Sequence, residues 1–573
     1  MNAQGAQRTT DGNRPRMGQR WAQASVLLAL VLSVTFLLHL LVIAEPFGRD
    51  QGIFAYIGQT ILHGGVPYRD AWDHKTPGLY VAYALAFAAF GQGMPSVQLL
   101  DGVSLTITAL FLYLIGRRLH SEAAGLVGAF LYGVSATLLF EWWDRGQAEI
   151  YMACTSTLAV YCLLRAFASS PAPRTSPAED APAHFQRALS ETDLALCGIF
   201  CGATVYFKPS ALPLLAGLGL MVIVQYWSAG ARHMVRPAFV LGIGFALSFV
   251  PMLVYFAANG ALNDLIQTVL VFNTYHARIG GNPTLAGIVG GTLDFAASMN
   301  ILAPLAVVGL WAIGASASAG AGQRSSLTTT PARLLIPIWL ISAAAGIWTQ
   351  GKFFSYHWSP VLPALGLLAA WGLLAISREL RQAQARSPRT LAALVCLAVV
   401  AVYAAALLHD HAPKWTRDAS FLLGRTTSEQ YLANFSHNIQ GRDIYSFAQT
   451  QQAALYLQAH SAPDDYVLVW GFQALVNYLA DRRSPTRYIF TYPLTFDRPE
   501  TAFRVQARRT FLHDLEARPP LYIVLVTNDV NPLQAVDSYS LLAGFPEFQH
   551  VIQQRYRIET DIGEFHLYRR VDA

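Results

Sequence analysis

Stretches of apolar residues long enough to cross a lipid bilayer recur along this chain, and no other feature of the sequence limits its fold so strongly. Runs at 24–44, 97–116, 123–140, 150–168, 194–207, 210–227, 237–258, 299–317, 334–350, 359–376 and 390–408 make eleven candidate crossings. A crossing needs about 20 helical residues. Lipid offers no partner to a backbone N–H or C=O, so such segments must satisfy their hydrogen bonds internally, as helices. Composition agrees: 53% of residues are hydrophobic and 13% charged, against roughly 25% charged in a soluble domain. The expected fold is a polytopic α-helical membrane protein up to residue 408, followed by a soluble domain.

Charge sets the orientation. The polar tail 1–23 carries Arg8, Arg14, Arg16 and Arg20 and leads into a run longer than a signal-peptide core, which predicts a retained anchor with the N-terminus inside. Placing Arg117 and Arg118, the segment with Arg174 and Arg187, and the Arg378–Arg389 segment inside puts the loops at 45–77, 141–149, 259–284 and 351–358 outside, with everything after 409. The run Leu79–Phe90 rises only about 18 Å against a hydrocarbon core of about 30 Å. It either extends past Gly93 or re-enters, and the charge count fits re-entry. Residues 169–193 are rich in Pro, Ala and Ser and read as a cytoplasmic linker.

Several functions are disfavoured at this level. The net charge of +5 is spread over loops and the tail domain and makes no nucleic-acid footprint. The five cysteines all fall in apolar runs, where small buried thiols are expected and disulfides are not. No internal repeat is visible, which weighs against a transporter built from duplicated halves.

Beyond His409 the pattern turns soluble. Asp464 and Asp465 read as turn residues before a short strand at Val467–Trp470, Leu521–Thr527 as a buried strand, and the last segment as a hairpin turning near Asp561–Gly563. This predicts a small α/β domain over 409–573 with no glycine-rich nucleotide loop and no nucleophile, base or metal constellation of its own.

The richest polar segment is the first outside loop, 45–77. Ile53, Tyr56, Ile57, Thr60 and Ile61 keep a helical period, so a short amphipathic helix is expected just after Asp50, lying in the membrane interface. A carboxylate at that depth can serve as general base on an acceptor hydroxyl, and Lys75 or Arg69 can neutralise a lipid-linked phosphate. The plain alternative has Asp50 capping the helix and Lys75 reaching to headgroups. Asp144 and Glu149, in the loop EWWDRGQAE, bring further acid to the same side. Their plain reading is an interfacial belt of Trp142 and Trp143 with flanking charges. Lys208, followed by Pro209, and Lys352, Tyr356 and His357 stand at the ends of other apolar runs, where converging cations would make a pocket for a phosphate diester. Snorkelling lysines and a satisfied interfacial histidine are the alternatives. Tyr275, His276 and Arg278 carry a weaker signal.

Taken together, the stretches DQGIFAY (Asp50–Tyr56), GGVPYRDAWDHKTPG (Gly64–Gly78), Glu149 opening a helix, Phe207-Lys208-Pro209, YHWSPVLP (Tyr356–Pro363), Trp470-Gly471 and the closing LYRR make a sequence that resembles the GT-C glycosyltransferases of family 39 type, which include protein O-mannosyltransferases and the aminoarabinose transferase of lipid A. The resemblance spans nearly the whole chain. It implies a GT-C-like bundle of about 11 to 13 crossings in a bacterial inner membrane, with the C-terminal domain extracytoplasmic. It implies Asp50 as the catalytic carboxylate, Lys75 close to the lipid phosphate and Glu149 as a second acidic position, and Arg69, Asp73, Asp144, Lys208, Lys352, Tyr356 and His357 are the further candidates around donor and substrate. The partners implied are a polyprenyl-phosphate sugar donor, a lipid, polysaccharide or protein acceptor, and the membrane itself. The chain departs from the family pattern at KTPG, where relatives usually show KPPL, and at Gln51, where many have Glu. The second departure leaves one carboxylate fewer at the site and leaves metal dependence open; no cofactor is expected to be required. An inverting monosaccharide transferase is the expected activity, with an oligosaccharide ligase or polymerase, or a transporter or flippase, as competitors.

Overall fold

The computed structural model describes residues 17–168, 190–227, 231–279, 284–299, 301–318, 330–382, 388–439, 442–496, 501–532 and 534–572. Most of the expected N-terminal tail and of the 169–193 linker lies outside the described residues. Each of the eleven apolar runs is helical over most of its length. In chain order the helices are α1 (Met17–Leu40), α2 (Arg49–Leu62), α3 (Gly78–Phe90), α4 (Met94–Leu119), α5 (Glu122–Leu138), α6 (Ala148–Ala168), α7 (Glu191–Phe207), α8 (Leu212–Tyr226), α9 (Ala231–Leu247), α10 (Val250–Ala258), α11 (Leu262–Ile266), α12 (Asn273–Ile279), α13 (Leu285–Ser298), α14 (Leu302–Ser318), α15 (Thr330–Trp348), α16 (Leu362–Arg381) and α17 (Pro388–Leu422).

Among the described residues six helical stretches are long and apolar enough to cross a membrane: Ala22–Leu40, Met94–Leu119, Ala148–Phe167, Arg232–Ala258, Ser355–Arg381 and Thr390–Leu422. The pair α13 and α14, bent by 103°, would be a seventh. The other expected runs fold as shorter helices, and α3, at 13 residues, is among the short apolar ones. Small residues let these helices approach closely, as lipid-embedded packing favours. A Cβ on Gly116 of α4 would lie 2.7 Å from the Gly125 Cα of α5, and one on Gly309 of α14 would lie 2.0 Å from a carbonyl of α16.

The helix expected to lie in the interface is different in kind. It begins at Arg49, one residue before Asp50, and Gln51–Gln59 are all buried. The reason is a cover on its outer side. A Cβ on Gly52 would sit 2.5 Å from the Leu475 side chain, and the Tyr56 hydroxyl accepts from the Ser484 backbone N–H at 2.8 Å.

Among the described residues the C-terminal segment forms two sheets. Strands β1 (Ser436–Ile439) and β2 (Arg442–Ser446) pair antiparallel. β3 (Val467–Trp470), β4 (Tyr522–Val526), β5 (Tyr556–Ile562) and β6 (Phe565–Arg570) form a second sheet of order β3-β4-β6-β5, in which only β3 and β4 are parallel. β4 is buried on both faces, which is why it reads as a continuous apolar run. Tyr522, Val524 and Val526 pack with Ala453 and Leu457 of the helix Phe447–His460. Ile523 and Leu525 face Trp470, Phe511 and Phe548 in a cluster that also takes in Phe54, Trp72 and Tyr80 of the first-loop region. The first loop and the C-terminal sheet therefore share one hydrophobic core. α17 likewise runs unbroken past residue 409 to Leu422.

Candidate active site

The loop between α2 and α3 is folded by its own short-range bonds. Gly64, at φ +83, turns the chain out of α2, and Asp70 accepts the Val66 N–H at 2.7 Å. Tyr68 is held in the left-handed region at φ +69 because its buried ring stacks on Phe256 and its hydroxyl donates to the Lys75 carbonyl at 2.7 Å. Tyr80 donates to Asp73 Oδ2 at 2.9 Å. Burial pushes the Asp73 carboxyl up, but His74 at 3.0 Å, Lys75 and Tyr80 outweigh it and hold the group below its ordinary value. Asp73 thus braces the turn that presents Lys75.

Asp50 lies in the first turn of α2, whose N-cap is Gly48 with no side-chain cap bond. Its Oδ2 stands 3.3 Å from Lys75 Nζ, and that ammonium lies 4.0 Å over the Phe54 ring. Neither plain alternative matches this geometry: Asp50 caps nothing, and Lys75 turns inward to a carboxylate and an aromatic face. Arg69 is placed elsewhere. It pairs with Asp70 at 2.8 Å and donates to the Asn259 carbonyl, away from this pair.

α7 ends at Lys208, since the following Pro209 supplies no N–H to continue it. The Lys208 ammonium meets Glu149 Oε1 at 2.6 Å, with Glu149 buried in the first turn of α6. His357 Nε2 lies 3.8 Å from the same oxygen, and His357 Nδ1 donates to the Lys352 carbonyl at 2.6 Å. Lys352 Nζ sits 2.6 Å from His276 Nε2, whose Nδ1 is 2.8 Å from the Tyr492 hydroxyl. Burial and the charges of Lys208 and Lys75 push the Lys352 ammonium down to about 8. Three lysines from loops hundreds of residues apart are therefore close enough to oppose one another's charge.

Asp144 accepts from Ser355 Oγ at 2.7 Å, tying the 141–149 loop to the turn that carries Tyr356 and His357, and burial lifts its carboxyl to about 6. Tyr356 packs edge-on against His357 with ring centroids 4.7 Å apart. Among the described residues no group of three or more His, Cys, Asp or Glu is arranged to hold a metal ion.

Two contributors escape a reading of the sequence. Tyr492 comes from the C-terminal segment, 216 residues from His276. Gln51, a departure from the family pattern, pins the acidic loop to α2, because its Nε2 donates to the Trp143 carbonyl at 2.7 Å and the Arg145 carbonyl at 2.9 Å. A carboxylate there would face two carbonyl oxygens. Gln51→Glu is accordingly expected to cost about 1–3 kcal/mol, the penalty for an unpaired buried polar contact, measured as a lower thermal unfolding midpoint in detergent. An unchanged midpoint would show that the two bonds are dispensable.

Residues 74–173 match the family model described as dolichyl-phosphate-mannose-protein mannosyltransferase, a span that includes Lys75, Asp144 and Glu149 but not Asp50. No curated relative matches the chain by sequence. Among solved structures, ArnT from Cupriavidus metallidurans bound to undecaprenyl phosphate aligns over 96% of this chain and 98% of its own, at 12% identity and a TM-score of 0.54. The same protein in the apo state aligns over 96% and 98%, at 14% identity and a TM-score of 0.51. Residues 74–173 are thus similar to the dolichyl-phosphate-mannose-protein mannosyltransferases, and the chain, with its several helices long and apolar enough to cross a membrane, has a fold similar along its length to that of ArnT.

Proposed function

We propose that this protein transfers a monosaccharide from a polyprenyl-phosphate-linked donor to an acceptor on the outer face of a membrane, with inversion at the anomeric carbon. The observation that carries the reading is the meeting of Lys75, Lys208 and Lys352 at one site, Lys75 against Asp50 and Lys208 against Glu149. Three ammonium groups converging in a half-buried site can together meet a bound anion, and a phosphate diester supplies one. The acceptor hydroxyl oxygen forms the new bond to the anomeric carbon. The carbon–oxygen bond to phosphate breaks with its electron pair leaving on the polyprenyl phosphate, and the hydroxyl proton passes to Asp50. The second negative charge that develops on the phosphate falls among the lysines, where electrostatic stabilisation acts on the transition state. The ArnT structure bound to undecaprenyl phosphate supports the choice of a lipid-linked donor.

The test is incubation of the purified full-length protein with several radiolabelled polyprenyl-phosphate sugars, scoring which is consumed. Consumption of none of them, with no binding of polyprenyl phosphate itself, would sink the reading. Addition of several sugar units per acceptor would favour a polymerase. Topology is checked separately: a reporter after Ala573 is expected to be active outside and one in the 169–193 linker inside, and the reverse would misplace every site residue.

Lys352 gives a pH signature. Its ammonium is pushed below the ordinary lysine value of about 10.4, so protonation in the folded protein opposes folding. That cost is present below about 8 and fades as pH rises from there. Ligand-free protein should therefore gain thermal stability between about pH 8 and 10, while affinity for polyprenyl phosphate falls over the same range. Parallel changes in both quantities would exclude Lys352 from the phosphate site.

A further inference from the structure

Lys352 is held differently from the other two lysines of the site. Lys75 is met by Asp50 and Lys208 by Glu149, whereas among the described residues no carboxylate pairs with Lys352, whose Nζ lies 2.6 Å from His276 Nε2. An ammonium group has only donors to offer, so Nε2 is the bare, accepting nitrogen of that ring. Burial, then the neighbouring His74 and Lys352, push the His276 imidazole far below its ordinary value, so the ring is neutral. A neutral imidazole carries a single N–H. That N–H is thereby placed on Nδ1, and it donates to the Tyr492 oxygen at 2.8 Å.

Tyr492 is firmly seated for this part. It opens the short helix Tyr492–Thr495, is 3% exposed, and its ring packs against Phe272, Phe472 and Phe496 with centroids 5.5 to 6.3 Å away. His276 is steadied by the His74 ring, 4.4 Å from its own, and Asn273 of the same helix α12 donates to the His74 carbonyl at 3.0 Å. Phenol, imidazole and ammonium thus form one directed chain from the C-terminal segment to the lysine site.

We infer that Tyr492 is a positioning residue for the donor phosphate: by accepting the His276 Nδ1–H it keeps Nε2 as an acceptor, and so holds the Lys352 ammonium in place. This rests on the transfer reading above and adds the C-terminal segment to its donor site. Without the phenol oxygen the Nδ1–H loses its acceptor. The ring relieves this by carrying its proton on Nε2, where an N–H would face the N–H groups of Lys352. The lysine must then turn away or give up its proton.

The experiment measures binding of sugar-free polyprenyl phosphate to the full-length protein in nanodiscs across neutral and alkaline pH. Tyr492→Phe keeps the ring and removes the hydroxyl. It should weaken binding about tenfold at neutral pH. The alkaline loss of affinity, set by Lys352 at about 8, should move down by about one pH unit. The other groups facing Lys352 stay in place in this variant: Lys208 with Glu149, Lys75 with Asp50, His74, His357, and Asp144 through Ser355. His276→Phe should weaken binding to a similar degree, and adding Tyr492→Phe to it should change nothing further, because the path from phenol to ammonium is already cut. A phenol that served packing alone would act equally in both backgrounds. If His276→Phe fails to fold, the pH shift in Tyr492→Phe decides by itself. Unchanged affinity in Tyr492→Phe, an unmoved alkaline limb, or additive losses in the double variant would overturn the inference and leave the transfer reading in place. If the unaltered protein neither binds polyprenyl phosphate nor consumes any polyprenyl-phosphate sugar, both fall.

Discussion

Asp50→Asn is expected to lower turnover by about 10² to 10⁴, the range that general-base catalysis typically contributes, with little change in folding. The amide keeps the shape of the carboxylate and loses its basicity. Asp50 makes no cap bond and its side chain is 43% exposed, so the substitution strands no buried group. Donor binding should change little, because the phosphate is met by lysines. Lys75→Ala gives the opposite split: a charge-assisted contact worth about 1.5–3 kcal/mol is lost from the phosphate, so KM for the donor rises while the base remains. Measuring kcat and KM for both purified variants separates the two roles. Near-normal kcat in Asp50→Asn would leave the proposed mechanism without its base.

Arg145→Met is expected to be the most damaging change to stability. Arg145 Nε lies 2.7 Å from Glu45 Oε2 with both side chains about 5% exposed, and its Nη2 donates to the Phe140 carbonyl at 3.1 Å. Removing one partner of a buried pair strands the other, at a cost of about 3–5 kcal/mol. Arg417, 3.2 Å from Glu45, holds part of the network and keeps the loss toward the lower end. Burial already pushes the Glu45 carboxyl above its ordinary value, and Arg145 is the strongest force opposing that rise. Without Arg145 the group protonates more readily in the folded state than in the unfolded chain, so the variant should recover stability as pH falls. Thermal unfolding of both proteins across pH 5 to 8 checks the size and the slope. A deficit that does not shrink toward acid pH would mean that Glu45 is not the group left stranded.

Much of the helical part is legible in the sequence because the apolar runs are long and lipid leaves the backbone no alternative. The pair Asp50 and Lys75 is legible too, since 25 residues of one compact loop separate them. Strands β3 and β4 announce themselves as apolar runs closed by turn residues, and Asp465 does accept the Ala462 N–H at 2.7 Å in the turn before β3. What the sequence hides depends on distant segments meeting. The helix α2 is covered at Gly52 and Tyr56 by the C-terminal segment, and periodicity does not distinguish such a cover from water. Tyr492, His276 and Lys352 belong to three segments with no shared motif. Asp101, buried in α4, accepts the Gly146 N–H at 2.7 Å and the Tyr151 hydroxyl at 2.8 Å, which steadies the acidic loop from within the bundle. Its place in an apolar run gives no sign of that.

The shared core of the first loop and the C-terminal sheet has a consequence for biogenesis. Asp50 and Lys75 leave the ribosome early, while Arg417, Leu475 and Tyr492, which buttress their surroundings, are synthesised last. The nascent chain can insert its helices in order, yet the chemical centre stays unfinished until the final third has folded back over α2. A half-made protein therefore lacks that cover, and a chimera that exchanges only the C-terminal portion would have to rematch the buried face of α2.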